Sequence, residues 1–218
     1  MTLQIDVISD VVCPWCFIGQ KRLARALEMY RRRNPDAEPP AVVWHPFQLN
    51  PGLPVEGVDR AEYLERKFGS RSQDIYARVS AVGAQVGIPF AFDKVVRQPN
   101  TLAAHSLITL AADAGNQDRV VEAFFHAYFI DGRDLTSHET LVEVATSAGL
   151  ARDDVEQCLA SAEARAHVQS EDEEARRLGV DGVPFFIFNR RYALSGAQEP
   201  DTLLDTMLKA DSEATTDA

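Results

Sequence analysis

The spacing of apolar and polar residues at the start of the chain predicts a β-strand that leads directly into a helix. Residues 3–8 alternate between apolar and polar side chains, a period of two that is typical of a strand. From Pro14 the apolar residues instead recur every three or four positions, as in a helix with one buried face. Asn34-Pro35 stops this pattern. The sequence therefore predicts a strand over residues 3–8 and a helix over 14–33.

Three further strands and a long helical region follow. Residues 41–47 are rich in β-branched and aromatic side chains and predict a second strand, parallel to the first. Residues 184–188 and 191–195 predict an antiparallel pair, and a last helix is expected over 199–210. Between these two groups of strands the helical period prevails, apart from a short extended piece expected at 90–95. The helices predicted there cover residues 60–68, 73–86, 102–114, 117–130, 137–148, 153–161 and 163–178.

Length and charge limit the classes of partner. The 218 residues suffice for one large domain, and 45% of them are hydrophobic, as expected of a globular chain with an apolar core. The formal net charge of −11 argues against nucleic acid and anionic membranes as partners. No run approaches the length of a membrane span, and the first residues lack the features of a secretory signal. We therefore expect a cytoplasmic protein without a membrane partner.

Two cysteines lie where the first predicted strand meets the first helix. Cys13 falls near the N-cap, Pro14 at the first helical position and Cys16 one turn further. The helix N-terminus favours a thiolate at Cys13, and the spacing of three places both sulfurs close enough to bond. We expect Cys13 to be an exposed nucleophile and Cys16 the more buried resolving thiol of a catalytic disulfide-exchange centre. Trp15, between them, should shield the sulfurs or stack on substrate.

A zinc site and a pair of buried structural cysteines are the alternatives for this spacing, and the sequence disfavours both. A structural zinc site needs four ligands, but the only other cysteine in the sequence is Cys158, and the five histidines fit no metal spacing. The position of the pair between a strand and a helix is specific to redox motifs. We expect no metal and no organic cofactor. Cys158 is interpreted as a small apolar residue on a helix, and a redox role for it stays open.

Four motifs occur in order along the chain. They are residues 12–16 (VCPWC), residues 44–51 (WHPFQLNP), Asn100-Thr101 with His105, and residues 179–186 (GVDGVPFF). Together they resemble the DsbA-like family of thioredoxin-fold oxidoreductases, most closely its FrnE-type branch, over residues 3–208. The resemblance implies a protein disulfide oxidoreductase or isomerase. Its partners would be proteins or small thiols that contain a disulfide or a dithiol.

The order of the predicted elements agrees with this resemblance. A β-α-β unit comes first and a β-β-α unit last, so we expect an α/β protein with a thioredoxin-like fold that is interrupted by a large all-helical insertion. Residues 1–50 together with 179–210 would form the thioredoxin-like domain, and residues 51–178 the helical insertion domain. Residues 211–218 are small, polar and acidic, and we expect them to be disordered.

The resemblance also implies which residues surround the cysteines. The Val183–Pro184 peptide bond should be cis and lie against the cysteine pair, which leaves the Val183 backbone free to pair with an extended substrate. The segment that contains Asn100 should lie beside the active site. We expect Asn100, His105 on the helix that Asn100 starts, and Asn50 to be substrate-binding residues in the same cleft.

Two other functions stay open from the sequence. Hydroxychromene-carboxylate isomerases and kappa-class glutathione transferases resemble this architecture and use glutathione, but they typically carry Ser at the position of Cys13. The intact pair of cysteines counts against them, although glutathione remains a candidate substrate. A redox-active chaperone is the other alternative. Either a monomer or a homodimer is compatible with the sequence.

Overall fold

The structure, a computed structural model, describes residues 2–216, with side chains described for residues 2–213. The strands within these residues are β1 (Gln4–Ser9), β2 (Ala41–Pro46), β3 (Val58–Asp59), β4 (Arg97–Gln98), β5 (Phe185–Phe188) and β6 (Tyr192–Ser195). The helices of the same part of the chain are α1 (Pro14–Arg33), α2 (Arg60–Phe68), α3 (Ser72–Gln85), α4 (Leu102–Asp113), α5 (Gln117–Phe129), α6 (His138–Ser147), α7 (Arg152–Ala160), α8 (Ala162–Arg177) and α9 (Pro200–Thr216).

Strand β1 lies inside a four-stranded mixed sheet of order β2-β1-β5-β6. It pairs in parallel with β2, where Val7 lies opposite Trp44, and antiparallel with β5, where Val7 lies opposite Phe186. Strand β6 extends the sheet antiparallel to β5. This topology confirms the predicted α/β fold, with a β-α-β unit first, a β-β-α unit last and helices between them.

The apolar core is continuous from the sheet into the helical region. Phe17 on α1 stacks on Phe125 of α5, with ring centroids 5.0 Å apart, and Phe90 meets Phe17 edge-on at 5.9 Å. Burying one such side chain contributes about 1.5–3 kcal/mol. One buried cluster thus contains residues of both predicted domains, and the division into two domains stays a prediction. No helix in the described part of the chain is long and apolar enough to cross a membrane.

The structure differs from the predicted elements in the middle of the chain. Residues 90–95 are not extended, because a 3₁₀ turn occupies Phe92–Lys94. The small antiparallel sheet of β3 and β4 was not predicted. Strands of two residues are too short to show the period on which a sequence prediction depends.

The end of the chain also differs from the expectation. Residues 211–216 were expected to be disordered, but α9 continues as far as Thr216. Tyr30 donates a hydrogen bond to Asp211 at 2.7 Å and Tyr192 donates one to Glu213, so α1 and β6 hold the last turns of α9. Composition alone could not show that two tyrosines elsewhere in the chain supply these contacts. Residues 217–218, which complete the predicted tail, lie outside the described residues.

Candidate functional site

The turn after β1 places both cysteines at the start of α1. Cys13 is the N-cap with an extended backbone, and Pro14 is the first helical residue, as predicted. The Cys13 N–H donates to the Asp10 carbonyl at 3.0 Å, and the Cys16 N–H donates to the Cys13 carbonyl at 3.0 Å. Both cysteines are free thiols. The positive end of the α1 dipole therefore faces the sulfur of Cys13.

The two thiols differ in their surroundings. Cys16 is 0% exposed, and burial, together with the hydrogen bond that its thiol donates to Cys13, raises the pKa of that thiol well above the ordinary value. Cys13 is only 5% exposed, so the expectation that it would be exposed is wrong. The segment before β5 covers it, with the carbonyl oxygen of Val183 3.5 Å from its sulfur. The predicted order of burial is nevertheless correct, and Cys13 still lines a cavity.

Val183 and Pro184 lie directly against the cysteine turn. Their peptide bond is cis, as predicted. The Cys13 thiol donates to the Val183 carbonyl oxygen. The ring of Pro184 also packs on Gly19 of α1, where an added Cβ would lie 2.9 Å from Cγ of the proline. These contacts confirm the predicted position of the two residues, and their role in binding substrate stays a prediction.

The other predicted cleft residues separate into two groups. Asn50 lines the same cavity as Cys13 and accepts a hydrogen bond from Tyr63 at 3.0 Å. Asn100 and His105 are not among the residues that line this cavity, and their predicted role in substrate binding stays a prediction. Asn100 lies just before α4, where its side chain accepts from the Leu102 N–H at 2.9 Å and donates to the Leu53 carbonyl at 2.8 Å. His105 is buried behind the cysteine turn.

Asp10 is a site residue that the sequence analysis missed. Its side chain is 0% exposed, and its carboxylate accepts the Leu49 N–H at 2.8 Å and lies 3.3 Å from Nε2 of His105. From the sequence, Ser9-Asp10 indicates only the end of a strand. Asp10 follows an apolar segment and comes three positions before Cys13. An acidic side chain at such a position needs hydrogen-bond partners if it is buried, and this could have marked it as a site residue.

A cavity of about 240 Å³ opens beside Cys13. Its wall comes from the cysteine turn, from the segment before β5 and from helices α2 and α3 of the helical region. The lining residues are Val12, Cys13, Pro14, Trp15, Leu49, Asn50, Arg60, Tyr63, Lys67, Phe68, Ile75, Tyr76, Val79, Gln98, Gly182 and Val183. This cavity offers a substrate sulfur a route to Cys13.

Helices α2 and α3 bring polar residues into the cavity that no sequence motif indicated. Arg60 is 4% exposed and donates to Tyr76 at 2.7 Å, to Tyr128 at 3.1 Å and to Gln98. Lys67 donates to Tyr63 at 2.6 Å. Both cations lie on helix α2, where charged residues at these positions cannot be told from those of a solvated helix face by sequence alone.

The positions of the possible metal ligands can be compared with the alternative of a zinc site at the cysteines. Among the described residues, no three His, Cys, Asp or Glu side chains lie close enough together to hold a metal ion. Cys158, the third cysteine, lies away from the pair, with its thiol donating to the Ser106 carbonyl at 3.4 Å. Burial raises the pKa of Cys158. The chemistry that the site offers is therefore that of the Cys13–Cys16 pair.

Comparison with solved structures supports this description of the fold. A probable DsbA oxidoreductase from Streptomyces coelicolor is 30% identical, with a TM-score of 0.86 over 97% of this chain and 91% of that one. A 2-hydroxychromene-2-carboxylate isomerase shares the fold at 16% identity, with a TM-score of 0.75 over 99% of both chains. The cytosolic disulfide reductase DsbM from Pseudomonas aeruginosa, solved with GSH, is 22% identical, with a TM-score of 0.67 over 94% of this chain and 99% of that one.

A family model shows the relationship directly. The model of the DSBA-like thioredoxin domain matches residues 4–208, which contain the whole sheet, the cysteine turn and the helices between the strands. Members of this family are thiol–disulfide oxidoreductases. With the fold, the free cysteine pair at the start of α1 and this match in agreement, the chain belongs to the DSBA-like thioredoxin domain family.

Proposed function

We propose that this protein is a thiol–disulfide oxidoreductase of the FrnE-type branch in which Cys13 attacks and Cys16 resolves. The observation that supports the proposal is that the two thiols differ in burial and in their access to the cavity. Cys13 lines the cavity at the N-terminus of α1, whereas Cys16 is fully buried behind it. A sulfur that lines a cavity at a helix N-terminus is suited to attack, and a neighbouring thiol that is fully buried can react only with the first cysteine.

The exchange proceeds in two steps. The Cys13 thiolate attacks one sulfur of a substrate disulfide, the substrate S–S bond breaks, and the departing thiolate takes up a proton. Cys16 then loses its proton and attacks the Cys13 sulfur, which forms the Cys13–Cys16 disulfide and releases the second substrate thiol. The substrate gains two electrons that the pair loses, and the reverse sequence oxidises a dithiol. The backbone of Val183 beside Cys13 provides a strand-like edge for substrate.

The proposed setting is the cytoplasm, with a protein or small thiol as substrate and no bound cofactor. One fold neighbour is named a cytosolic disulfide reductase, which agrees with a chain whose cysteines form no structural framework. Neither nucleic acid nor a membrane is a proposed partner. The active unit is a monomer or a homodimer.

Reduction of insulin disulfides tests the proposed function. The wild type should accelerate precipitation of insulin in the presence of dithiothreitol, Cys13→Ser should abolish the acceleration, and Cys158→Ser should retain it. The same rate for wild type and Cys13→Ser would contradict the proposal. Cys158→Ser is the matched control because it removes a thiol that lies outside the site.

A glutathione-dependent isomerase is the second candidate, favoured by the fold shared with the 2-hydroxychromene-2-carboxylate isomerase. It predicts isomerisation of 2-hydroxychromene-2-carboxylate with glutathione and no insulin reduction. A redox-active chaperone predicts instead that a variant without cysteines still suppresses aggregation of an unfolded protein. The proposed oxidoreductase requires both Cys13 and Cys16. Insulin reduction by the wild type that is lost in Cys13→Ser therefore favours it over the other two activities.

A further inference from the structure

Arg60 is a buried cation without an acidic partner. It is 4% exposed, and its guanidinium donates to the side chains of Gln98, Tyr128 and Tyr76, which are all neutral hydrogen-bond acceptors. None of the carboxylates in the described part of the chain forms an ion pair with it within 4.0 Å. A buried charge is costly unless it is paired, so this guanidinium is suited to a negative group that comes from outside.

The charge of the cavity is opposite to that of the whole chain. Its lining includes Arg60 and Lys67 and no Asp or Glu, although the chain has a net charge of −11. Lys67 is exposed at the mouth, where it donates to Tyr63 and, within the described side chains, forms no ion pair. A cleft lined by one sign of charge with low-dielectric walls concentrates ligands of the other sign.

Arg60 and Cys13 line the same cavity of about 240 Å³. This volume is near the lower end of small-molecule sites, so it suits one half of a small disulfide. A planar guanidinium binds a carboxylate through two parallel hydrogen bonds, and an ammonium group adds a less directional contact. A disulfide whose sulfur lies near Cys13 would therefore place a carboxylate of the same half within the part of the cavity that carries the two cations.

We propose that Arg60 and Lys67 form an anion receptor that selects disulfides of small thiols carrying carboxylates. The inference rests on the proposed function, because it assigns a substrate class to the Cys13–Cys16 centre. In the first step the Cys13 thiolate forms a mixed disulfide with one half of such a substrate and releases the other half as a thiol. Cys16 then releases the second thiol, so that the substrate is reduced by two electrons and the pair is oxidised.

The test compares three disulfides of different charge as oxidants of the reduced protein: oxidised glutathione, neutral 2-hydroxyethyl disulfide and cationic cystamine. Their own reactivities are corrected with free dithiothreitol as the reference thiol. The wild type should react faster with oxidised glutathione than with the other two. In Arg60→Gln the rate with oxidised glutathione, divided by that with 2-hydroxyethyl disulfide, should fall about tenfold or more, as expected when a charge-assisted hydrogen bond is lost.

Three further variants separate recognition from folding. Lys67→Gln, at an exposed position, should lower the same ratio by a smaller factor, and Arg60→Lys should restore part of the preference. Arg31→Gln makes the same charge change on the exposed part of α1 and should leave the ratio unchanged.

Equal corrected rates for the three disulfides in the wild type, or an unchanged ratio in both Arg60→Gln and Lys67→Gln, would overturn the receptor while leaving the oxidoreductase intact. Failure of all three disulfides to oxidise Cys13 and Cys16 would instead overturn the proposed function.

Discussion

Nε2 of His105 lies 3.3 Å from Oδ1 of Asp10, and both side chains are almost completely buried. This contact joins α4 to the turn that carries the cysteines. Asp10 also accepts the Leu49 N–H through its carboxylate and the Cys13 N–H through its backbone carbonyl. The position of Cys13 thus depends on contacts between segments about 40 and 95 residues apart along the chain.

Asp10→Ala should destabilise the protein. The substitution leaves the Leu49 N–H without its acceptor, and an unsatisfied buried donor costs about 1–3 kcal/mol. His105 loses its polar partner as well. Urea unfolding should show a lower midpoint for Asp10→Ala than for Asp10→Asn, which keeps one acceptor oxygen. Equal midpoints for Asp10→Ala and the wild type would show that this contact does not hold the turn.

Alkylation should distinguish the three cysteines. Cys13 should react with iodoacetamide fastest near neutral pH, because it lines the cavity at a helix N-terminus. Burial raises the pKa of both Cys16 and Cys158, which keeps them as less reactive thiols. Peptide mapping by mass spectrometry at a series of times measures the three rates. Equal rates for Cys13 and Cys16 would contradict the assigned roles.

Gly19 should be sensitive to the addition of a single methyl group. A Cβ there would lie 2.9 Å from the Pro184 ring and 3.2 Å from the ring of Phe186. Overpacking of this kind costs about 1–3 kcal/mol, which outweighs a gain of up to about 1 kcal/mol in helix propensity. Gly19→Ala should therefore lower stability and slow insulin reduction. Gly52→Ala, where a Cβ meets nothing within 4 Å, is the control and should change neither property.

His45 should contribute to stability in a pH-dependent manner. Hydrogen bonds with Asp6 and Glu171 raise the pKa of His45 to about 9, against about 6.5 in an unfolded chain. Its contribution is therefore fully present below about pH 6.5 and is lost as the pH rises through about 9. The stability difference between wild type and His45→Gln should shrink between pH 6 and pH 10. Urea unfolding of both proteins at several pH values measures this stability difference. A difference that stays constant with pH would exclude a pH-dependent contribution of His45.

The sequence predicted those parts of the fold that depend on local patterns. The alternation of residues 3–8 predicted the central strand, and the helical pattern from Pro14 predicted that Cys13 lies at the helix N-cap. Both predictions are confirmed. The β3–β4 sheet was missed because its strands have only two residues each, and the extent of α9 because it depends on distant tyrosines.

The candidate site was predicted less completely than the fold. The motif around Cys13 and the segment at Val183 could be recognised, because their residue types and spacing are themselves the signal. Asp10 and Arg60 were missed because their significance comes from burial beside neighbours that are far away in sequence. His105 was assigned to the cleft because of its position near a motif, whereas helix α4 turns its side chain towards Asp10.

Trapping of the mixed disulfide tests most directly the claim that Cys13 attacks and Cys16 resolves. Cys16→Ser should be incubated with 2-hydroxyethyl disulfide, whose neutral halves make the result independent of Arg60, and the adduct located by peptide mapping. The account predicts a stable adduct on Cys13 in Cys16→Ser, rapid loss of that adduct in the wild type and none at position 13 in Cys13→Ser. An adduct confined to Cys158, or no adduct on Cys13 in Cys16→Ser, would contradict it.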